Sequence, residues 1–292
     1  MIVVVGVFGW MMFFMAPGIY RRCRALWPLI GLVCCCAVTA EEQVDSKPLP
    51  QVVVPIVAPW GFYNAENQVS GLLVSFQNEL FTRARLAVNA ELRPYPRVVH
   101  DLASGSADMG VMFVSPLAEQ SGVSLGHVVT MRVILIAPAN RTGAINKLGD
   151  LDGERVGFIR GSKYGRRFDE YAGFEHIAIN NVEQGLRMLV TDRLDALVAT
   201  EQALLYAMFM TGIPASQFAT HLTLGNARAD LYLSRHSEGQ PWVPSVRAAL
   251  KSMNDDGRSS AIFYQHDLWP RQAYCFAGGR CLEAVEPPVT DF

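Results

Sequence analysis

The stretch INKLGDLDGERVGFIRGSKYGRRFDEYAGFEHIAINNVEQGLRMLVTDRLDALVATEQA, residues 145–203, decides the fold. It reads as two βα units in succession. Residues 156–159 are a short apolar run that ends at Arg160, Gly161 and Ser162. Gly161 permits a tight backbone turn, and Ser162 is a good N-cap for a helix running through Phe168 and Tyr171. Val182, Leu186, Leu189 and Val190 then recur at helical spacing. Asp192 and Arg193 break that helix, and residues 194–199 form the next apolar strand. Strand, serine-capped turn and helix together make half of an anion site, with free N–H groups above the sheet.

Outward from this stretch, the ends of the chain carry the signals of export. The chain has 292 residues, half of them hydrophobic, enough for one large or two ordinary domains. Residues 1–40 hold no acid and three arginines, Arg21, Arg22 and Arg24. An apolar run over 25–37 follows, closing on Val38, Thr39 and Ala40. Basic region, apolar region and small residue read as a secretory signal peptide cleaved after Ala40. A second apolar run, 2–14, lies ahead of the arginines and has two readings. Either Met15 opens the leader and residues 1–14 are an extension before the true start, or residues 2–20 anchor the chain in a membrane. Removing the leader leaves a chain more acidic than the whole, whose net charge is −2. A mildly acidic chain is a poor candidate for non-specific nucleic-acid binding.

Cys23, Cys34, Cys35 and Cys36 lie in the leader, so the mature chain keeps only Cys275 and Cys281. An even pair six residues apart, joined by a segment that can turn, predicts a disulfide in an oxidising compartment. It closes a small loop and contributes about 2 kcal/mol in the chain-entropy model. No histidine or further cysteine completes a metal site nearby. The six histidines, His100, His127, His176, His221, His236 and His266, are scattered with none paired at metal-ligand spacing. No GxSxG, HExxH or P-loop occurs. Neither metal nor cofactor is expected.

The remaining segments alternate in the same βα manner: strands over 52–57, 91–95 and 108–114, with helices over 71–87 and 98–104 between them. A strand over 132–137, a helix over 201–211, strands over 221–224 and 230–234, and helices over 242–253 and 259–267 complete the reading. Arg97 follows a strand directly, and a fork-shaped donor at a strand end suits a carboxylate.

Residues 148–162, LGDLDGERVGFIRGS, resemble the "DLxGxxVGVxxGS" signature of bacterial extracellular solute-binding proteins, family 3. Residues 182–199 resemble that family's "eeGLxxLxxGRxDAxV" segment, residues 102–109 its "LxxGxxD" step, and residues 230–234 its return strand. The family order runs over residues 51–269. The resemblance implies a two-lobed α/β fold of the type II periplasmic binding proteins, with a mixed sheet in each lobe and two crossover hinge strands. Lobe 1 would hold residues 51–136 and 228–292, and lobe 2 residues 137–227. A ligand would sit in the cleft, at the carboxyl ends of strands, and closure would be a hinge motion.

The same resemblance names candidate ligand-binding residues. The loop after the first strand carries an aromatic that packs on ligand, and Trp60 matches it, with Tyr63 nearby. Phe113 and Ser115 end the third strand. Gln120 stands where amino-acid binders carry a carboxylate-gripping arginine, and Thr200, with Glu201 beside it, where they carry an ammonium acceptor. Both charged anchors are thus absent or displaced, and ordinary α-amino acids are expected to bind weakly or not at all. Arg97 or Arg160 is a substitute cation, and Ser162 closes the group. The implied role is capture of a small polar solute, amino-acid-like or an organic acid, by a periplasmic monomer without enzyme activity. The membrane partner would be an ABC permease or a sensor. The alternative is a lyase on the same fold, like the cyclohexadienyl dehydratases, with Glu201 as its acid or base.

Overall fold

A computed structural model describes residues 49–264, 268, 274–279 and 281–282. The leader and both readings of residues 1–20 lie outside them. In chain order the elements are β1 (Gln51–Pro55), β2 (Phe62–Tyr63), β3 (Val69–Ser70), α1 (Leu72–Ala84), β4 (Asn89–Arg93), α2 (Tyr95–Ser104), β5 (Met109–Phe113) and α3 (Pro116–Ser121). Then come β6 (Val123–Pro138), β7 (Arg155–Ile159), α4 (Arg166–Asp169), β8 (Glu175–Ile179), α5 (Val182–Val190), β9 (Ala196–Thr200) and α6 (Glu201–Thr211). The chain continues as β10 (Phe218–Leu233), α7 (Val243–Asp255), α8 (Arg258–Tyr264), β11 (Tyr274–Cys275) and β12 (Cys281–Leu282).

The strand order is β4-β1-β5-β10-β6-β9-β7-β8. Strand β1 runs parallel to β4 and β5, and β7 runs parallel to β8 and β9. Between these two parallel groups lie the 16-residue strands β6 and β10, antiparallel to each other. Strand β5 pairs with Ala229–Leu233 of β10, whereas β9 pairs with Val133–Ile136 of β6. The two groups therefore attach to different portions of one antiparallel ribbon, and the ribbon is shared by two lobes. Four register shifts interrupt the β6–β10 ladder, and such irregularities bend and twist a strand pair.

Helices cover both faces, so the parallel strands read as continuous apolar runs. In β9 all five residues are buried. Helix α6 buries eight of its eleven residues, as a helix apolar nearly all round must. One apolar cluster centres on Phe76, Leu204 and Phe263, a second on Leu151, Phe168 and Phe174, and a third on Val98, Leu102 and Tyr232. In the second cluster Phe168 is ringed by Phe158, Tyr164, Phe174 and His176, with centroids 5.3–6.3 Å away. Across β7 and β9, Asp195 accepts from Arg155 Nε at 2.9 Å and Nη2 at 2.8 Å, and from the Arg155 backbone N–H at 2.8 Å.

Two sequence expectations are corrected. Ser162 does not cap a helix. Helix α4 is a single four-residue turn that begins after Gly165 and has no side-chain cap. Gly161 and Gly165 both take left-handed φ values, +82° and +107°, which keeps the intervening segment out of a helix. The Asp169 carboxylate gathers the Tyr164 and Gly165 N–H groups instead, at 3.1 and 3.2 Å. The half-built anion site therefore does not form.

Cys275 and Cys281 face each other across the β11–β12 ladder and are joined by a disulfide. This hairpin lies against the start of β10, with the Ala277 N–H donating to the Phe218 carbonyl at 2.8 Å and Ala277 bridged to Ala219. Intact mass should rise by two hydrogens when the purified protein is reduced. Two free thiols before reduction would refute the bond.

Candidate functional site

The loop after β1 is shaped by its own backbone. The Trp60 and Gly61 N–H groups both donate to the Val57 carbonyl, at 2.8 and 3.2 Å, which closes a turn. The Pro59 and Trp60 carbonyls then accept from the Leu72 and Leu73 N–H groups at the start of α1. That exchange satisfies donors which a helix start leaves without partners. It also fixes Trp60, whose ring stands 6.4 Å from that of Phe263.

Trp60 forms one wall of a cavity at the junction of the two lobes. From the first lobe come Val57, Tyr95, Phe113 and neighbours on β5, and from the second come Ile159, Ser162, Tyr164, Thr200 and Ala203. The shared ribbon contributes Val129, Met131 and Ala229. Water-sized molecules can centre themselves in about 50 Å³ of it, room for a few waters or one compact solute. Four hydroxyl side chains line it, those of Tyr95, Ser162, Tyr164 and Thr200, and no charged side chain among the described residues does. Burial pushes the Tyr95 phenol well above its usual range, against an opposing pull from the Phe113 backbone. Burial does the same at Tyr164, opposed by the Ile159 backbone and the Ser162 side chain. Both phenols are therefore neutral donors at physiological pH.

Of the residues expected from sequence, Trp60, Phe113, Ser162 and Thr200 line this cavity. The others lie elsewhere. Tyr63 is half exposed on the short β2 strand. Arg97 faces outward on α2 and pairs with Asp101 at 2.9 Å. Ser115 caps α3, accepting from the Ala118 N–H at 3.2 Å. Gln120 is exposed at the far end of that short helix. Arg160 is exposed, its Nη2 donating to the Ala178 carbonyl at 3.4 Å. Glu201 is 1% exposed and accepts from Arg132 Nε at 2.8 Å. Among the described residues, no group of three or more His, Cys, Asp or Glu is placed to hold a metal ion, and no helix is long and apolar enough to cross a membrane.

Sequence reasoning missed Tyr95 and Tyr164. Tyr95 opens α2, one residue before Pro96, which takes a first-turn position where its missing N–H costs nothing. Tyr164 lies between two left-handed glycines. Each lies in the segment that follows a strand, Tyr95 two residues beyond β4 and Tyr164 five beyond β7, and the resemblance that named Trp60 does not reach either.

Gly161 lies close against Tyr95 and Pro96 of the other lobe. A Cβ there would stand 2.9 Å from Pro96 Cγ and 3.5 Å from Tyr95 Cδ1. Gly161→Ala should hold the lobes apart, since the new methyl meets Pro96 while φ remains at a value that costs an alanine about 1 kcal/mol. The expected result is a larger radius of gyration in solution scattering, with the urea midpoint lowered only by the roughly 1 kcal/mol of backbone strain. An unchanged radius would refute the contact as a clasp.

No family model matches the sequence, and no curated protein matches it. The fold itself has solved counterparts. A histidine kinase sensor domain with similarity to periplasmic binding proteins superposes with TM-score 0.64 at 14% identity, over 74% of this chain and 94% of that one. An ancestral arginine-binding protein bound to arginine gives 0.62 at 17% identity, over 75% and 97%. The fold is that of the type II periplasmic binding proteins. The GluR0 ligand-binding core from Nostoc punctiforme, in complex with L-glutamate, shares it with TM-score 0.60 at 16% identity, over 75% of this chain and 98% of that one. In a type II fold the ribbon of β6 and β10 is the pair of crossover strands, and the cavity described above occupies the interlobe cleft.

Proposed function

We propose that this chain is a periplasmic solute-binding protein of the family 3 type. It captures a small polar solute between its lobes as a monomer and presents the closed form to an ABC permease or a sensor. The lobe limits, residues 51–136 with 228–292 and residues 137–227, belong to this proposal, except that the β11–β12 hairpin, expected with the first lobe, packs against Phe218 and Ala219 of the second. The observation that carries it is the cavity itself, walled by Trp60 and Tyr95 on one side and by Tyr164 and Thr200 on the other. A site built from two lobes is completed only when they close, and closure is what a membrane partner reads. The lyase alternative needs an acid or base at the substrate. Among the described residues no carboxylate, imidazole or amine lines the cavity, and Glu201 is held by Arg132.

A thermal-shift screen of small metabolites tests the reading, because a ligand that binds only the folded state raises Tm. Scattering with the compound that shifts Tm should then show a more compact particle. Absence of compaction, or conversion of that compound into a product by the purified protein, would overturn it.

A further inference from the structure

We infer that the cleft takes an uncharged solute whose polar group is a hydrogen-bond acceptor, offered to a cluster of hydroxyl donors. The inference rests on the solute-binding reading above and narrows its ligand class. Thr200 is 3% exposed, and its Oγ1 has no hydrogen-bond partner among the described residues. It sits at the N-cap of α6 yet makes no side-chain cap bond, and it lines the cavity. A buried hydroxyl without a partner is costly, so a solute that meets Oγ1 gains what the protein alone forgoes. Ser162, 8% exposed, and the neutral phenols of Tyr95 and Tyr164 are the other hydroxyls of the wall. Most of the remaining lining residues named here are apolar, among them Val57, Ile159 and Ala203.

A charged solute meets nothing to pair with in this wall. An ammonium finds no carboxylate lining the cavity, and a buried ion without a counter-charge is strongly disfavoured. A carboxylate would have to rely on the N-terminus of α6. Glu201 already places a carboxylate in that first turn, where it uses the favourable end of the helix dipole. An amide, lactam or ketone carbonyl on a single ring or a short branched chain fits the remaining chemistry and the size of the cavity.

The test uses the full secreted chain and two matched series: benzamide, benzoate and benzylamine, and isovaleramide, isovalerate and isoamylamine. Binding is followed by tryptophan fluorescence, since Trp60 walls the cavity, and by Tm. The amides should bind at least about tenfold more tightly than their acids and amines, and Thr200→Val should weaken amide binding by about three- to tenfold. An acid or amine that binds as tightly as its amide overturns the ligand class and leaves solute capture standing. Silence across both series also overturns the class, and capture itself fails only if no charged metabolite compacts the protein in scattering.

Discussion

Replacing Arg132 with alanine lowers the unfolding free energy by about 3 kcal/mol at neutral pH, the lower end of the range for breaking a buried ion pair. Glu201 is 1% exposed and sits at the first residue of α6, with Arg132 Nε 2.8 Å from its Oε2. Removing the guanidinium takes away the charged partner that Glu201 faces at 2.8 Å, a larger loss than that of one neutral hydrogen bond. Arg132 itself is 33% exposed, so water reaches the gap and holds the loss at the lower end. The double variant Arg132→Met with Glu201→Leu removes both charges and should recover most of the loss, because apolar replacements of buried pairs are often neutral or stabilising. Urea denaturation of the three proteins decides it. A loss under about 1 kcal/mol for Arg132→Ala would mark the pair as an ordinary surface contact.

The second large effect is expected at Phe263. Its side chain is fully buried, with its ring 5.8 Å from that of Phe76 and 6.4 Å from that of Trp60. Truncation to alanine in a core of this kind costs about 3–5 kcal/mol. For a domain of this size that corresponds to a fall in Tm of roughly 10 °C. The variant carries a second signature. Trp60 loses one of its supports, so tryptophan emission should move to the red as its surroundings become wetter. A fall in Tm with unchanged emission would separate the packing of α8 from the wall of the cleft. A fall below about 2 °C would refute the packing argument itself.

The sequence displayed the fold where burial was one-sided or complete. The segment EQALLYAMFMT, with Thr200 ahead of it and Gly212 after it, reads as residues 201–211 and forms α6 over the same span. It gave no warning of the full ribbon, because the expected strands at 132–137, 221–224 and 230–234 are pieces of two 16-residue strands. The unread portion of β6 mixes partly exposed and buried positions, which blurs the alternation on which a strand is recognised. Strand β8, EHIAI, escaped notice because it is a short edge strand with one buried residue. At the site, Trp60 and Thr200 were legible through the family resemblance, which names the loop after β1 and the end of β9. Tyr95 and Tyr164 were not, since their meeting depends on how two lobes close around Gly161, and no local pattern encodes that. The charged candidates Arg97 and Glu201 are each paired within the protein, with Asp101 and Arg132.

The disulfide-closed hairpin has a practical consequence. The described chain starts beside β1, on the first lobe, yet its last described strands rest on Phe218 and Ala219, where β10 pairs with the second-lobe end of β6. The two ends thus ride on opposite jaws of the cleft. A donor fluorophore fused ahead of Leu49 and an acceptor fused after the hairpin would change separation as the jaws move. Energy transfer between them would report solute capture in a living cell without any insertion inside the fold.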